Sequence, residues 1–172
     1  EYGVITSPKH FPGQGGAKID SHVDIADITQ TYQTKEVMPF DKLNQNGLLF
    51  SVMTAHAMDK NIDPENPATL SGAFLQGVLR EQIGFEGVII SDDMQMGAIE
   101  KNYGFSDAII KAVNAGCDII LISNNTQRGY DKDVAHKVRE IILGAVRRGL
   151  IDEAKIHESY DRIMGLKRQF GL

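Results

Sequence analysis

The sequence predicts an α/β protein with a parallel sheet, because apolar runs alternate along the chain with segments of helical periodicity. The runs cover residues 2–6, 48–54, 87–91 and 117–123, and runs this continuously apolar are typical of parallel strands covered on both faces. Four β/α units are half of a (β/α)8 barrel of the TIM-barrel type. We therefore expect residues 1–172 to form a single partial barrel domain that ends in additional C-terminal helices.

Residues that favour helix ends bound the segments between these runs. A helix is predicted over residues 35–46 and ends at Gly47, because glycine readily takes the left-handed backbone of a helix end. Ser71 and Ser106 are the predicted N-caps of the next two helices, and Gly116 is the predicted end of the second one. Beyond the last apolar run, apolar residues at helical spacing predict two amphipathic helices.

Composition and charge exclude several classes of protein. A formal net charge of −5 argues against a nucleic-acid partner and against an anionic membrane surface. Basic residues near the C-terminus, Arg162 among them, alternate with acidic ones, which predicts a solvated helix face. Cys117 is the only cysteine, so no intrachain disulfide can form, and no apolar run reaches the roughly 18 residues of a membrane span. The chain begins at Glu1 without methionine, as expected of a partial product, and leaves the compartment, cytoplasmic or exported, open.

Polar side chains follow each of the four apolar runs. The carboxyl ends of parallel barrel strands meet at one face, where enzymes of this architecture place their chemistry. Residues far apart in the sequence would therefore share one mouth, which favours an enzyme. The groups concerned are Lys9, His10, Asp20 and His22 after the first run, His56 after the second, Asp92 and Asp93 after the third, and Asn124 and Asn125 after the fourth.

Asp20 and His22 are spaced so that both side chains can project to one side of an extended loop. A carboxylate bonded to one imidazole nitrogen fixes the tautomer and raises the imidazole pKa. The other nitrogen then becomes a proton donor or acceptor suited to neutral pH. A hydrogen bond that merely stabilises the loop is the alternative interpretation of this pair.

Asp92 and Asp93 directly follow the third apolar run. At a strand end, one carboxylate can point into the barrel mouth while its neighbour turns aside to bond backbone groups. For a single aspartate at this place the alternative is a helix N-cap.

A metal site is a weaker hypothesis. His22, Asp24, His56 and Asp92 could supply ligands for a metal-dependent hydrolase, but no HxH or HExxH spacing supports it. We therefore expect no metal and no cofactor. A further alternative is a non-catalytic half barrel that persists only by pairing with another chain.

Five segments, taken together in this order, are distinctive: Lys9-His10-Phe11-Pro12-Gly13, Asp20-Ser21-His22, Met53-Thr54-Ala55-His56, the segment 84–94 that contains Ser91-Asp92-Asp93, and the segment 115–121. They resemble the family 3 glycoside hydrolases, and within them the bacterial β-N-acetylglucosaminidase (β-N-acetylhexosaminidase) branch. The resemblance covers essentially the whole chain, with the motifs in the family's order.

The resemblance implies a (β/α)8 barrel of which this chain holds about the last four β/α units, and a retaining hydrolysis through a covalent glycosyl-enzyme. It implies that Asp92 is the nucleophile, that His22 is the acid/base, and that Asp20 orients and tunes His22. Lys9 and His10 would hydrogen-bond sugar hydroxyls. The expected substrate is a glycoside with terminal β-linked N-acetylglucosamine, from peptidoglycan or chitin fragments.

The chain departs from the family in two respects. Gln14 stands where the family usually has histidine, which should affect loop packing more than chemistry. The first half of the barrel, with further sugar-binding residues, is absent, so self-association or pairing with that half is expected. Phosphate in place of water as the acceptor is a related possibility, because a histidine acid/base lacks the negative charge that repels phosphate.

Overall fold

The computed structural model describes residues 4–14, 16–21, 23–125 and 129–172, and these residues form an α/β arrangement. Two parallel pairs of short strands are present, with β1 beside β3 and β2 beside β4. The predicted α/β class is therefore confirmed. The strands are β1 (Ala26–Asp27), β2 (Ser51–Met53), β3 (Ala57–Met58) and β4 (Val88–Ile90).

Isolated parallel bridges extend the β2–β4 pair on both sides. Phe11 pairs with Thr54 at the end of β2, and Ile119 pairs with Ile90 at the end of β4. The backbone N–H of Phe11 donates to the carbonyl of Met53 at 2.9 Å. Segments from four parts of the chain thus lie side by side in sequence order, although the complete four-unit half barrel stays a prediction.

The apolar runs become strands only where both neighbours can pair with them. The runs at 48–54 and 87–91 contain β2 and β4, as predicted. The run at 2–6 is not a strand over residues 4–6, where Val4 is 73% exposed, and backbone hydrogen bonds to β2 begin beyond it, at Pro8 and Phe11. Residues 1–3 of that run lie outside the described residues.

The run at 117–123 also forms no regular strand, because side-chain oxygens replace part of the backbone ladder. The carboxylate of Asp118 accepts the N–H of Ile89 at 2.8 Å. The hydroxyl of Ser91 accepts the N–H of Leu121 at 2.9 Å. These bonds hold the segment against β4 without the repeating pattern of a sheet.

The helices confirm both predicted glycine ends, although the first α-helix begins at Met38 and not at residue 35. Gly47 and Gly116 both take left-handed backbone, with φ of 66° and 119°, just beyond the helices they were predicted to end. The helical segments are the 3-10 helices Thr34–Glu36 and Ala68–Leu70, the π-helix Ala73–Gln82, and the α-helices Met38–Gln45, Gly97–Glu100, Phe105–Ala115, Val134–Arg147 and Glu153–Gln169.

The predicted N-caps differ in outcome. The prediction for Ser106 is wrong, because the helix begins at Phe105 with Gly104 as its N-cap, and the carbonyl of Gly104 accepts the N–H of Ala108 at 2.9 Å. Ser71 lies one residue before the N-cap of its helix. Its hydroxyl still accepts the N–H of Phe74 at 3.3 Å, so it satisfies a donor of the first turn.

The main core lies between the β2–β4 pair and the helices that follow these strands. Val52 and Ile89 supply the sheet side of this core, and buried residues of the helices Ala73–Gln82 and Phe105–Ala115 supply the other side. A second cluster joins Val113 to Ala145 and Ile151 and thereby packs the C-terminal helices against the helix Phe105–Ala115. Among the described residues, no helix has both the length and the apolar character that crossing a membrane needs.

A buried ion cluster fixes the C-terminal helix to the sheet. The carboxylate of Asp118 accepts hydrogen bonds from Arg80 and from Arg162, each at 3.0 Å, and from the hydroxyl of Ser159 at 2.8 Å. The prediction that Arg162 belongs to a solvated face is therefore wrong, because this side chain reaches inward and is 29% exposed.

Candidate active site

Asp92 follows β4 after one intervening residue, Ser91, and is only 8% exposed. Its backbone N–H donates to the hydroxyl of Thr54 at 3.1 Å. Its Oδ1 accepts the N–H of Asp93 at 2.8 Å, and its Oδ2 is 4.0 Å from Nε2 of His10. One carboxylate oxygen is therefore held by the backbone, while the other lies towards His10.

The loop that carries Lys9 and His10 is attached to the end of β2. The backbone N–H of Met53 donates to the carbonyl of Pro8 at 3.1 Å, and Phe11 is fully buried against the ring of Phe40. The peptide bonds Lys9–His10 and Phe11–Pro12 are both cis. This attachment brings His10 to Asp92, as the predicted shared mouth requires, whereas Lys9 is exposed.

Asp20 opens a turn on the next loop and is exposed. Its carbonyl accepts the N–H groups of Val23 at 2.9 Å and of Asp24 at 3.1 Å. The side-chain amide of Gln14 donates to the buried hydroxyl of Ser21 at 3.0 Å, which ties this turn to the glycine-rich loop, the segment that contains Gly13 and Gln14. His22 lies outside the described residues, so the predicted contact between Asp20 and His22 stays a prediction.

Asp93 bonds backbone groups, as the sequence predicts for one of the two adjacent carboxylates. Its Oδ1 accepts the N–H of Gln95 at 3.1 Å and the N–H of Ser123 at 3.0 Å. The Gln95 side chain in turn accepts the N–H of Asn124 at 2.7 Å. Asp93 therefore holds together the loops that follow two neighbouring runs, whereas the Oδ2 atom of Asp92 lies towards His10.

His56 is a neighbour of Asp92 whose role the sequence does not reveal. The residue is fully buried, and its Nε2 is 2.9 Å from the carbonyl oxygen of Asp93. A carbonyl only accepts, so Nε2 carries a proton. Burial lowers the pKa of His56, while the hydrogen bond to Asp93 and the charge of Asp92 oppose this shift. The neutral ring then presents Nδ1 as an acceptor, and this atom has no partner among the described residues.

Thr54 and Thr69 are two further buried residues at the site that sequence reasoning missed. Their hydroxyl oxygens are 2.8 Å apart, and Thr69 also donates to the carbonyl of Ala55 at 2.9 Å. The sequence feature that could have indicated polar support at this site is the pair Thr54 and His56, which follow β2 at the end of the apolar run 48–54.

The metal hypothesis names four side chains, of which His22 lies outside the described residues. Asp24 accepts the side-chain amide of Asn102 at 2.9 Å and the N–H of Ile25 at 2.8 Å, and these bonds lower its pKa. Within the described ranges, no group of three or more His, Cys, Asp or Glu side chains is placed to hold a metal ion.

Comparison with known proteins decides the family. Residues 1–166 match the glycosyl hydrolase family 3 N-terminal domain. The chain belongs to glycosyl hydrolase family 3. A family member named β-hexosaminidase, from Shewanella frigidimarina, is 40% identical over 129 residues, which are 73% of this chain and 38% of the relative. The resemblance inferred from the motifs is thereby confirmed.

Solved structures agree with this assignment. A β-N-acetylglucosaminidase from Paenibacillus superposes with a TM-score of 0.87 at 33% identity, over 98% of this chain and 32% of the other. The β-N-acetylglucosaminidase from Thermotoga maritima gives 0.77 at 29% identity, over 92% of this chain and 33% of the other. The chain thus spans about a third of the length of the relatives it matches.

Proposed function

We propose that this family 3 chain carries the reacting groups of a retaining β-N-acetylhexosaminidase. The enzyme would remove terminal β-linked N-acetylglucosamine from fragments of peptidoglycan or chitin. The observation that supports this best is the buried carboxylate of Asp92 at the end of β4, with Oδ2 4.0 Å from His10. Relatives with the names β-hexosaminidase and β-N-acetylglucosaminidase support the substrate class.

Asp92 acts as the nucleophile. Because Oδ1 accepts the N–H of Asp93, the carboxylate is held in one orientation, and Oδ2 is the oxygen on the side of His10. Oδ2 attacks the anomeric carbon, the bond to the leaving oxygen breaks, and a covalent glycosyl-enzyme forms. Attack from the face opposite the leaving group inverts the anomeric centre once.

His22 and Asp20 move the proton. In the first step the imidazole of His22 protonates the leaving oxygen, and in the second it takes a proton from water. That water attacks the anomeric carbon and releases Asp92, so that the second inversion restores the original configuration. Asp20 would orient the ring, and its turn is tied to the glycine-rich loop through Gln14 and Ser21.

Lys9 and His10 hold the sugar. Both lie on the loop that is attached to the end of β2, and both side chains can donate to hydroxyl groups. His10 lies beside the attacking oxygen of Asp92, so a sugar bound by it would present its anomeric carbon close to that oxygen. Lys9 is exposed and would reach a more distant hydroxyl.

Replacement of the nucleophile tests the proposal. In the natural full-length protein, Asp92→Asn should abolish turnover of an aryl N-acetyl-β-glucosaminide. A 5-fluoro analogue should label wild-type protein, with the added mass on the peptide that contains Asp92, and should leave Asp92→Ala unlabelled. Asp161→Asn is the matched control, because Asp161 is exposed on the C-terminal helix. Full activity of Asp92→Asn would refute the proposal.

Residues 1–172 form, in this proposal, one partial (β/α)8 domain with about the last four β/α units. Such a domain would complete its pocket by pairing with another copy or with the missing half of the barrel. Light scattering and the activity assay on one sample of the 172-residue chain itself test this, because its active species must then be larger than 19.0 kDa. Comparison of the products with and without phosphate distinguishes hydrolysis from phosphorolysis.

A further inference from the structure

Two buried hydroxyl groups connect the backbone of Asp92 to the end of β2. The N–H of Asp92 donates to Oγ1 of Thr54 at 3.1 Å, and Oγ1 of Thr54 is 2.8 Å from Oγ1 of Thr69. The hydroxyl of Thr69 is 2.9 Å from the carbonyl of Ala55. Both threonines are fully buried, so these bonds are made without competition from bulk water.

The proton positions in this chain follow from the acceptors. A hydroxyl has one proton, and the carbonyl of Ala55 can only accept, so Thr69 donates to Ala55. Thr69 must then accept from Thr54, which leaves a lone pair of Thr54 for the N–H of Asp92. All three bonds run in one direction, and aligned bonds of this kind strengthen each other.

This chain of hydrogen bonds lies where the backbone ladder between β2 and β4 ends. The N–H of Thr54 still donates to the carbonyl of Ile90 as part of the ladder, at 3.0 Å. Two residues later, the N–H of Asp92 has turned to the Thr54 side chain. Beyond Asp92, the ring of His56 donates to the carbonyl of Asp93. The backbone on both sides of the Asp92 carboxylate is therefore fixed by side chains of the β2 segment.

We propose that Thr54, with Thr69 behind it, is a positioning residue that sets where the Asp92 carboxylate meets the substrate. The inference rests on the proposed role of Asp92 as the nucleophile. Neither threonine touches the sugar in this account. A nucleophile must lie within about 3–3.5 Å of its target, and a displacement of about 1 Å costs on the order of 100-fold in rate. The loss should therefore appear in kcat and not in KM.

The test uses matched pairs of substitutions in the natural full-length protein. Thr54→Val keeps the shape but removes the acceptor, whereas Thr54→Ser keeps the hydroxyl and loses only the methyl group. With an aryl N-acetyl-β-glucosaminide, Thr54→Val should lower kcat by about 10- to 100-fold with KM within about twofold of wild type. Thr54→Ser should retain kcat within about threefold.

Thr69→Val and Thr69→Ser form a second pair. In Thr69→Val the Thr54 hydroxyl remains as the acceptor for the Asp92 N–H, but the orientation of that hydroxyl is no longer fixed. Thr69→Val should lower kcat by about three- to tenfold, and Thr69→Ser should restore it. If thermal unfolding shows that Thr54→Val does not fold, the Thr69 pair tests the positioning role instead.

The outcomes separate this inference from the proposed function. An inactive Asp92→Asn together with wild-type kcat in folded Thr54→Val, or in folded Thr69→Val, overturns the positioning role and leaves the nucleophile in place. Equal losses in Thr54→Val and Thr54→Ser also overturn it, because the methyl group and not the hydroxyl would then matter. Full activity of Asp92→Asn instead removes the proposed function itself.

Discussion

Removal of the Asp118 carboxylate should destabilise the protein far more than removal of any surface charge. The Asp118 side chain is 0% exposed, and that of its partner Arg80 is 11% exposed. Arg80 also donates to the carbonyls of Phe85 and Gly87, so its guanidinium cannot swing out to water without breaking further bonds. Asp118→Ala would therefore leave a buried cation without its counter-charge.

The size of the effect follows from burial. Breaking a buried ion pair by removing one partner costs about 3–5 kcal/mol, because the remaining charge is uncompensated. Arg162 also binds Asp118 but is 29% exposed and can rehydrate, so it adds little to this figure. The surface pair between Arg162 and Glu158 on one helix is worth only about 0.3–0.5 kcal/mol.

Urea unfolding of the natural full-length protein measures the difference. We expect Asp118→Ala to lower the free energy of unfolding by about 3–5 kcal/mol, and Glu158→Gln, the control on the same cluster, to change it by less than about 0.5 kcal/mol. An Asp118→Ala protein within about 1 kcal/mol of wild type would contradict the reasoning, because the guanidinium of Arg80 would then be solvated or paired elsewhere.

Further predictions concern His56 and two glycines. Burial lowers the pKa of His56, so below the usual histidine pKa of about 6.5 the unfolded chain takes up a proton that the folded chain refuses. Stability should therefore fall as pH drops below about 6.5, by at most about 1.4 kcal/mol per pH unit, and urea unfolding of His56→Asn should show a flatter dependence. Gly13→Ala should lower the Tm and kcat/KM, because φ is 131° and a Cβ would lie 2.5 Å from a Glu36 oxygen. Gly144→Ala is its control, in open space on a helix, and should stabilise by about 0.5–1 kcal/mol; an equal loss of Tm in both variants would contradict the explanation.

Sequence patterns predicted the fold where burial and pairing agree. The runs that contain β2 and β4 lie between neighbours on both sides, so their continuous apolar character corresponds to strands. The run at 117–123 has the same character and forms a bridge at Ile119, but beside it the side chains of Asp118 and Ser91 provide bonds in place of further ladder bonds. An aspartate inside an apolar run was the signal, yet periodicity alone cannot say that a side chain will replace a backbone partner.

The place of Asp92 could be predicted from the sequence, but the groups that support it could not. Asp92 directly follows a continuously apolar run, and the structure places it beside His10 as the shared mouth requires. Thr54 and His56 act through single hydrogen bonds across 38 and 37 positions of sequence. No local pattern encodes such partners, because they depend on which strands become neighbours.

The two adjacent aspartates after β4 make different kinds of contact. Alternation along the extended chain sends consecutive side chains to opposite sides, so only one of the two can face the mouth. Asp93 faces the loops and accepts two backbone N–H groups, which fixes the turn. Asp92 faces His10, and the N–H of Asp93 holds its Oδ1. The N–H of the peptide that joins the two aspartates thus orients the Asp92 carboxylate, and Thr54 and His56 bond the peptides on either side of it from the β2 side. We therefore expect the position of the proposed nucleophile to depend on Thr54 and His56, which lie behind Asp92 and not against the substrate.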